Sequence, residues 1–85
     1  MLAFDNLGWE QYRYWQATDK KMARRINALI KDAQRNPFTG LGKPEPLKNQ
    51  LAGFWSRRID REHRLVYKVV PDGIIVASCR YHYTK

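Results

Sequence analysis

The sequence predicts an α+β domain: two N-terminal helices packed on one face of a small, mostly antiparallel sheet, in the order β-α-α-β-β-β. Three observations predict it. Apolar residues recur with a helical period between residues 20 and 34. Strand-like runs fill the second half. A segment rich in proline and glycine, 37–47, separates the two. With 85 residues, one domain over 1–85 is the only sensible count.

Met1-Leu2-Ala3-Phe4 reads as a short opening strand, and Asp5 or Asn6 as the cap of a first helix over Leu7–Ala17. Trp9, Tyr12 and Trp15 lie three apart and can share one face, a pattern that reads as core or dimer contact. Thr18-Asp19 marks a break and a fresh cap, and the second helix runs from Lys20 to about Gln34. Met22, Ile26, Leu29, Ile30 and Ala33 form its apolar stripe, with Lys20, Lys21, Arg24, Lys31 and Arg35 on the other side. Asn36-Pro37 ends it. Phe38–Leu47 reads as an ordered loop without helix or strand, and Leu47–Ala52 stays ambiguous.

Strands are expected at Phe54–Asp60, Arg64–Val70 and Ile74–Tyr83. Pro71-Asp72-Gly73 turns the last two into a hairpin, and Arg61-Glu62-His63 makes the turn before them, with His63 structural. Alternation sends Leu65, Tyr67 and Val69 under the helices and Arg64, Val66 and Lys68 to the open face. In the last strand Ile75, Ala77, Cys79 and Tyr81 make the more apolar face, which puts Arg80 and His82 with Arg64 on the open side. Phe54–Asp60 is undecided, but Trp55 and Ile59 inward would add Arg58 to that side.

Sixteen Lys and Arg against eight Asp and Glu leave a net charge of +8, which points to a polyanionic partner, nucleic acid first. The arginines gather at Arg57, Arg58, Arg61 and Arg64. A single cysteine, Cys79, permits no intrachain disulfide and fits a reducing cytoplasm, with the thiol buried. No apolar run reaches the length of a membrane span.

These residues suit RNA cleavage, because RNA carries its own nucleophile in the 2′-hydroxyl. The reaction needs a base at that hydroxyl, cations on the phosphate and an acid for the departing 5′-oxygen. Glu45, stiffened between Pro44 and Pro46, suits the base. The fork of Arg64 suits the phosphate, with Arg58, Lys48 and Arg80 as further cations. His82 suits the acid, and Tyr83 can stack on a base or reach the phosphate. No CxxC, HExxH or carboxylate cluster is present, so neither a metal nor another cofactor is expected. Each residue has a plainer reading: Glu45 as surface, Arg64 as a partner of Glu62 or Asp60, His82 as a frayed end.

The motifs Asn36-Pro37-Phe38, Gly42-Lys43-Pro44-Glu45-Pro46-Leu47-Lys48, Gly53-Phe54-Trp55-Ser56-Arg57-Arg58-Ile59, Glu62-His63-Arg64-Leu65-Val66-Tyr67 and Cys79-Arg80-Tyr81-His82-Tyr83 together carry a resemblance. The chain resembles the YoeB toxins, within the RelE-like ribonuclease toxins of bacterial toxin–antitoxin systems. That resemblance implies a microbial-ribonuclease-like fold and a ribosome-dependent endoribonuclease that cuts mRNA in the A site of the 70S ribosome. It puts the general base on Glu45, the phosphate-stabilising arginine on Arg64, the general acid on His82 and the terminal aromatic on Tyr83, supported by Lys48 and Arg58. It also implies a YefM-like antitoxin partner and a homodimer. The alternatives are a basic module that blocks RNA or the ribosome without cutting, and a protein confined to autorepression with its antitoxin.

Overall fold

The computed structural model describes residues 1–82. The chain runs β1 (Leu2–Phe4), α1 (Asn6–Thr18), α2 (Lys20–Arg35), β2 (Glu45–Pro46), a 3-10 turn (Asn49–Leu51), β3 (Phe54–Arg58), β4 (Arg64–Val70) and β5 (Gly73–Ser78). The strands form one sheet in the order β1-β5-β4-β3-β2, antiparallel except where β1 runs parallel to β5.

Both helices begin where a side chain can take an unsatisfied amide. Asp5 accepts from the Gly8 N–H at 2.9 Å and Asp19 from the Met22 N–H at 3.1 Å. α2 buries Ile26, Leu29, Ile30 and Ala33 of the expected stripe, together with Ala23, while Met22 is only partly buried against the core. α1 buries Trp15 but leaves Trp9 about half exposed. Trp9 instead joins Phe4 and Tyr12 in an aromatic cluster with centroids 5.0–5.9 Å apart. Leu65 and Tyr67 of β4, Ile74 and Val76 of β5, and Ile59 complete the core beneath the helices.

Four expectations need correction. Glu45–Pro46 is a short strand, not loop: it pairs with Ser56 and Trp55 at the sheet edge. An edge tolerates Pro46, which has no N–H to give, and both prolines already bias the segment towards extended geometry. The last strand ends at Ser78, not Tyr83, and the third at Arg58, not Asp60. The faces of β5 are also reversed: Ile74 and Val76 point into the core, while Ile75 is half-buried. A bulge opposite Val66/Tyr67 pairs Tyr67 with Val76 but Val66 with Ser78, leaving Ala77 as the extra residue. Beyond it the phase shifts, so Cys79 is buried again.

Candidate active site

Glu45 enters the sheet face through pairing. Residues directly opposite across an antiparallel ladder share a face, and the register runs Glu45, Ser56, Val66, Ser78 across four strands. Two residues along, Arg58 and Arg64 stand opposite each other on that same face. Glu45 and Arg58 are exposed and Arg64 is half-buried. Ser56 and Val66 are nearly fully buried although they face away from the helices. Val66 lines a cavity whose wall also includes Leu51 and Phe54.

The loop that delivers Glu45 is held from beneath by Arg57. This guanidinium is fully buried and pairs with Asp32 at 2.6 Å. It also donates to the carbonyls of Asn36, Thr39 and Leu41 and to the Tyr67 hydroxyl, which itself donates to the Pro37 carbonyl at 2.6 Å. Arg57 therefore belongs to the scaffold and not to an exposed basic cluster, a correction to the composition-based reading. The Leu41 amide and the Arg57 guanidinium together hold the Asp32 carboxyl below its usual range, and burial pushes the Tyr67 phenol up. Gly42 completes the loop at φ +79. Its carbonyl accepts the Arg58 amide at 2.7 Å, and a Cβ there would meet the Arg58 carbonyl at 2.9 Å.

Around the β3–β4 turn, Arg25, Arg58, Arg61 and Arg64 line one open depression with Asp60 and Ile59. Arg64 Nη1 donates to the Asp60 carbonyl at 2.9 Å and the His63 carbonyl at 3.1 Å. Arg25 donates to the carbonyls of Ile59 and Arg58. Burial pushes the Asp60 carboxyl up, but the amides of His63 and Glu62 outweigh it and hold the group below its usual range. Arg25 is a member of this depression that the sequence pattern does not single out. The available signal was its place beside Ile26, at the border of the helix's apolar stripe. Lys48 is exposed, one residue ahead of the 3-10 turn.

After β5 the chain is pinned mostly by side chains, with one backbone bond to β4. The Cys79 amide donates to Gln11 Oε1 at 2.7 Å, and Trp15 Nε1 donates to the Cys79 carbonyl at 2.9 Å. The Arg64 amide donates to the Tyr81 carbonyl at 3.0 Å, and the Tyr81 amide to His63 Nδ1 at 2.7 Å. Tyr81 sits at φ +64. The Arg80 guanidinium lies 3.7 Å from the Tyr14 ring centroid and 4.7 Å from that of Tyr81. His82 is exposed and lines the cavity that holds Val66 and Ser78, together with Arg80. Tyr83 lies outside the described residues.

The register links Glu45 to the His82 cavity through Val66, while Arg58 and Arg64 line a separate depression at the β3–β4 turn. Val66 is two strand spacings from Glu45, about 10 Å, and Val66 is also in the wall of the His82 cavity. The opposed Arg58 and Arg64 lie along the same face. Among the described residues no three His, Cys, Asp or Glu side chains come together as a metal-ligating group, and no helix is long and apolar enough to cross a membrane.

The family described as the YoeB-like toxin of bacterial type II toxin–antitoxin systems matches residues 4–83. Toxin YoeB of Escherichia coli strain K12 is 58% identical over 82 residues, covering 96% of this chain and 98% of the relative. The YoeB–YefM complex from Staphylococcus aureus contains a chain 49% identical with a TM-score of 0.91, covering 98% of this chain and 97% of that one. A YoeB dimer from the same organism matches with a TM-score of 0.89 at 51% identity, covering 96% and 95%.

Proposed function

The chain belongs to the YoeB-like toxin family of bacterial type II toxin–antitoxin systems, and from that premise we propose that it is an endoribonuclease that cuts mRNA in the ribosomal A site and so halts translation. The observation that supports the reading is the register that puts Glu45, Val66 and the opposed Arg58 and Arg64 on one sheet face, with Val66 also in the wall of the His82 cavity. Two like charges directly opposite repel. A phosphate between them relieves that repulsion and receives two planar forks.

In the proposed reaction Glu45 takes the proton of the 2′-hydroxyl, and that oxygen attacks the adjacent phosphorus. Arg64, Arg58 and Lys48 stabilise the charge that builds on the phosphoryl oxygens. His82 gives its proton to the 5′-oxygen as the P–O5′ bond breaks. The products are a 2′,3′-cyclic phosphate and a 5′-hydroxyl, and no step is routed through a metal. Tyr83, next in sequence after His82, is assigned to stacking on a neighbouring base, and Arg80 adds positive charge at the cavity wall.

The similar chain from Staphylococcus aureus is in complex with YefM. We extend that to this chain as a YefM-like antitoxin whose acidic segment covers the basic face. The dimer of another similar chain supports self-association. Leu2, Leu7 and Trp9, exposed together around β1 and the start of α1, are the surface we assign to it. Ribosomes and mRNA place the activity in the cytoplasm.

The test is to map message ends on programmed 70S ribosomes with wild type, Glu45→Ala, Arg64→Ala and His82→Ala. Each variant should lose cutting by about a hundredfold or more while binding ribosomes. Intact message with wild type overturns the enzyme and favours a blocking module. Undiminished cutting by all three variants overturns the assignment of roles.

A further inference from the structure

We infer that His63 is a positioning residue for His82, acting through the backbone of Tyr81. The inference rests on the reading of His82 as general acid. His63 is buried although its neighbours in the turn, Arg61 and Glu62, are exposed. Its ring does not fill space passively. Nδ1 accepts the Tyr81 amide at 2.7 Å, so the ring proton sits on Nε2, which faces Glu62 Oε1 at 3.6 Å. The edge of Trp15, with centroids 5.0 Å apart, fixes the ring plane.

The position held is one the chain would not choose. Tyr81 is in the left-handed region at φ +64, which an L side chain disfavours. Both sides of the residue are gripped by adjacent positions in β4 and its turn: His63 takes its amide and Arg64 donates to its carbonyl. His82 is the next residue, and among the described residues no strand pairs with it. A left-handed residue redirects the chain, so the His63 bond sets where His82 points. Removing the acceptor frees Tyr81 to relax into extended backbone and swing His82 off the face.

Two substitutions separate the acceptor from the ring. His63→Asn places an amide oxygen where Nδ1 stood. His63→Phe keeps a ring against Trp15 but accepts nothing. Hydrogen exchange on the ¹⁵N-labelled protein should show the Tyr81 amide protected in wild type and His63→Asn, and fast in His63→Phe, with Leu65 and Tyr67 protected in all three. On programmed ribosomes His63→Phe should lower kcat about tenfold, the loss of one hydrogen bond's influence, with KM unchanged, and His63→Asn should restore most of it. A Tyr81 amide as slow in His63→Phe as in wild type overturns the inference. So does an unchanged kcat in His63→Phe, or a His63→Asn no faster than His63→Phe while core amides stay protected. A wild type that cuts nothing removes the catalytic reading of His82 instead, and the Tyr81 amide still reports whether His63 holds the segment.

Discussion

Arg57 and Asp32 meet at 2.6 Å beneath the loop that delivers Glu45, and the arginine of the pair is fully buried. One guanidinium also satisfies three loop carbonyls and the Tyr67 hydroxyl. The loop between α2 and β2 therefore has its own polar core, and the placement of Glu45 depends on it.

Arg57→Met should be among the most destabilising single changes. It keeps much of the volume but leaves Asp32, the carbonyls and Tyr67 without their partner, at a cost of about 3 kcal/mol or more. Arg57→Lys should recover little, because one ammonium cannot reproduce five donors set in a plane. Urea unfolding of the three proteins measures this, and a midpoint for Arg57→Met equal to wild type overturns the assignment.

Acid should loosen the same loop and the β3–β4 turn. Asp32 and Asp60 both have folded pKa values below the ordinary 3.8. A carboxyl with a depressed folded pKa contributes stability that is present above its unfolded value and is lost as pH falls through its folded one. Stability should hold from neutral pH to about 4 and then decline. Asp60→Asn should be weaker than wild type at pH 7 yet lose less on going to pH 3, as read from urea midpoints at each pH.

Gly8→Ala tests a contest of two effects. In an exposed helix the change would stabilise by about 1 kcal/mol. Here a Cβ would lie 2.3 Å from the Val76 carbonyl oxygen, so α1 must move off β5. The clash should win, giving a net loss of about 1–3 kcal/mol, and a thermal midpoint that rises instead would show that α1 sits farther from the sheet.

Cys79 should be chemically silent. Burial pushes its thiol up to about 12, and its sulfur lies over the Gly8 carbonyl. A maleimide or aromatic disulfide reagent at pH 8 should leave the folded protein unlabelled, and label it fully in denaturant, by mass spectrometry.

Much of this could be read in the sequence, for reasons that also explain what could not. The helices announced themselves through Asp5, Asp19 and the stripe from Met22 to Ala33, because capping and periodicity are local properties. Leu65 and Tyr67 were placed by alternation, which survives along an unbroken strand. Alternation failed in β5, where Ile74-Ile75-Val76-Ala77 is apolar on both sides and a bulge shifts the phase. Arg57 and Arg58 look alike in the sequence. Only the parity of β3 and the distant Asp32 divide them into scaffold and surface. His82 is delivered to its cavity by a left-handed Tyr81 and by contacts of Cys79 and Tyr81 with Gln11, Trp15, His63 and Arg64, none of which leaves a periodic trace. Arg25 joins the basic depression from a helix, across a sequence gap of more than thirty residues.

The parallel pairing of β1 with β5 has a consequence for how the protein is made. The amino group of Met1 donates to the Asp72 carbonyl, 71 residues away in sequence, and among the described residues β1 has no other strand beside it. During synthesis the opening strand must wait unpaired until β5 has emerged, and contacts of such long range close late. Glu45, Arg64 and His82 come from β2, β4 and the segment after β5, so a nascent chain carries all three only when the sheet is nearly finished.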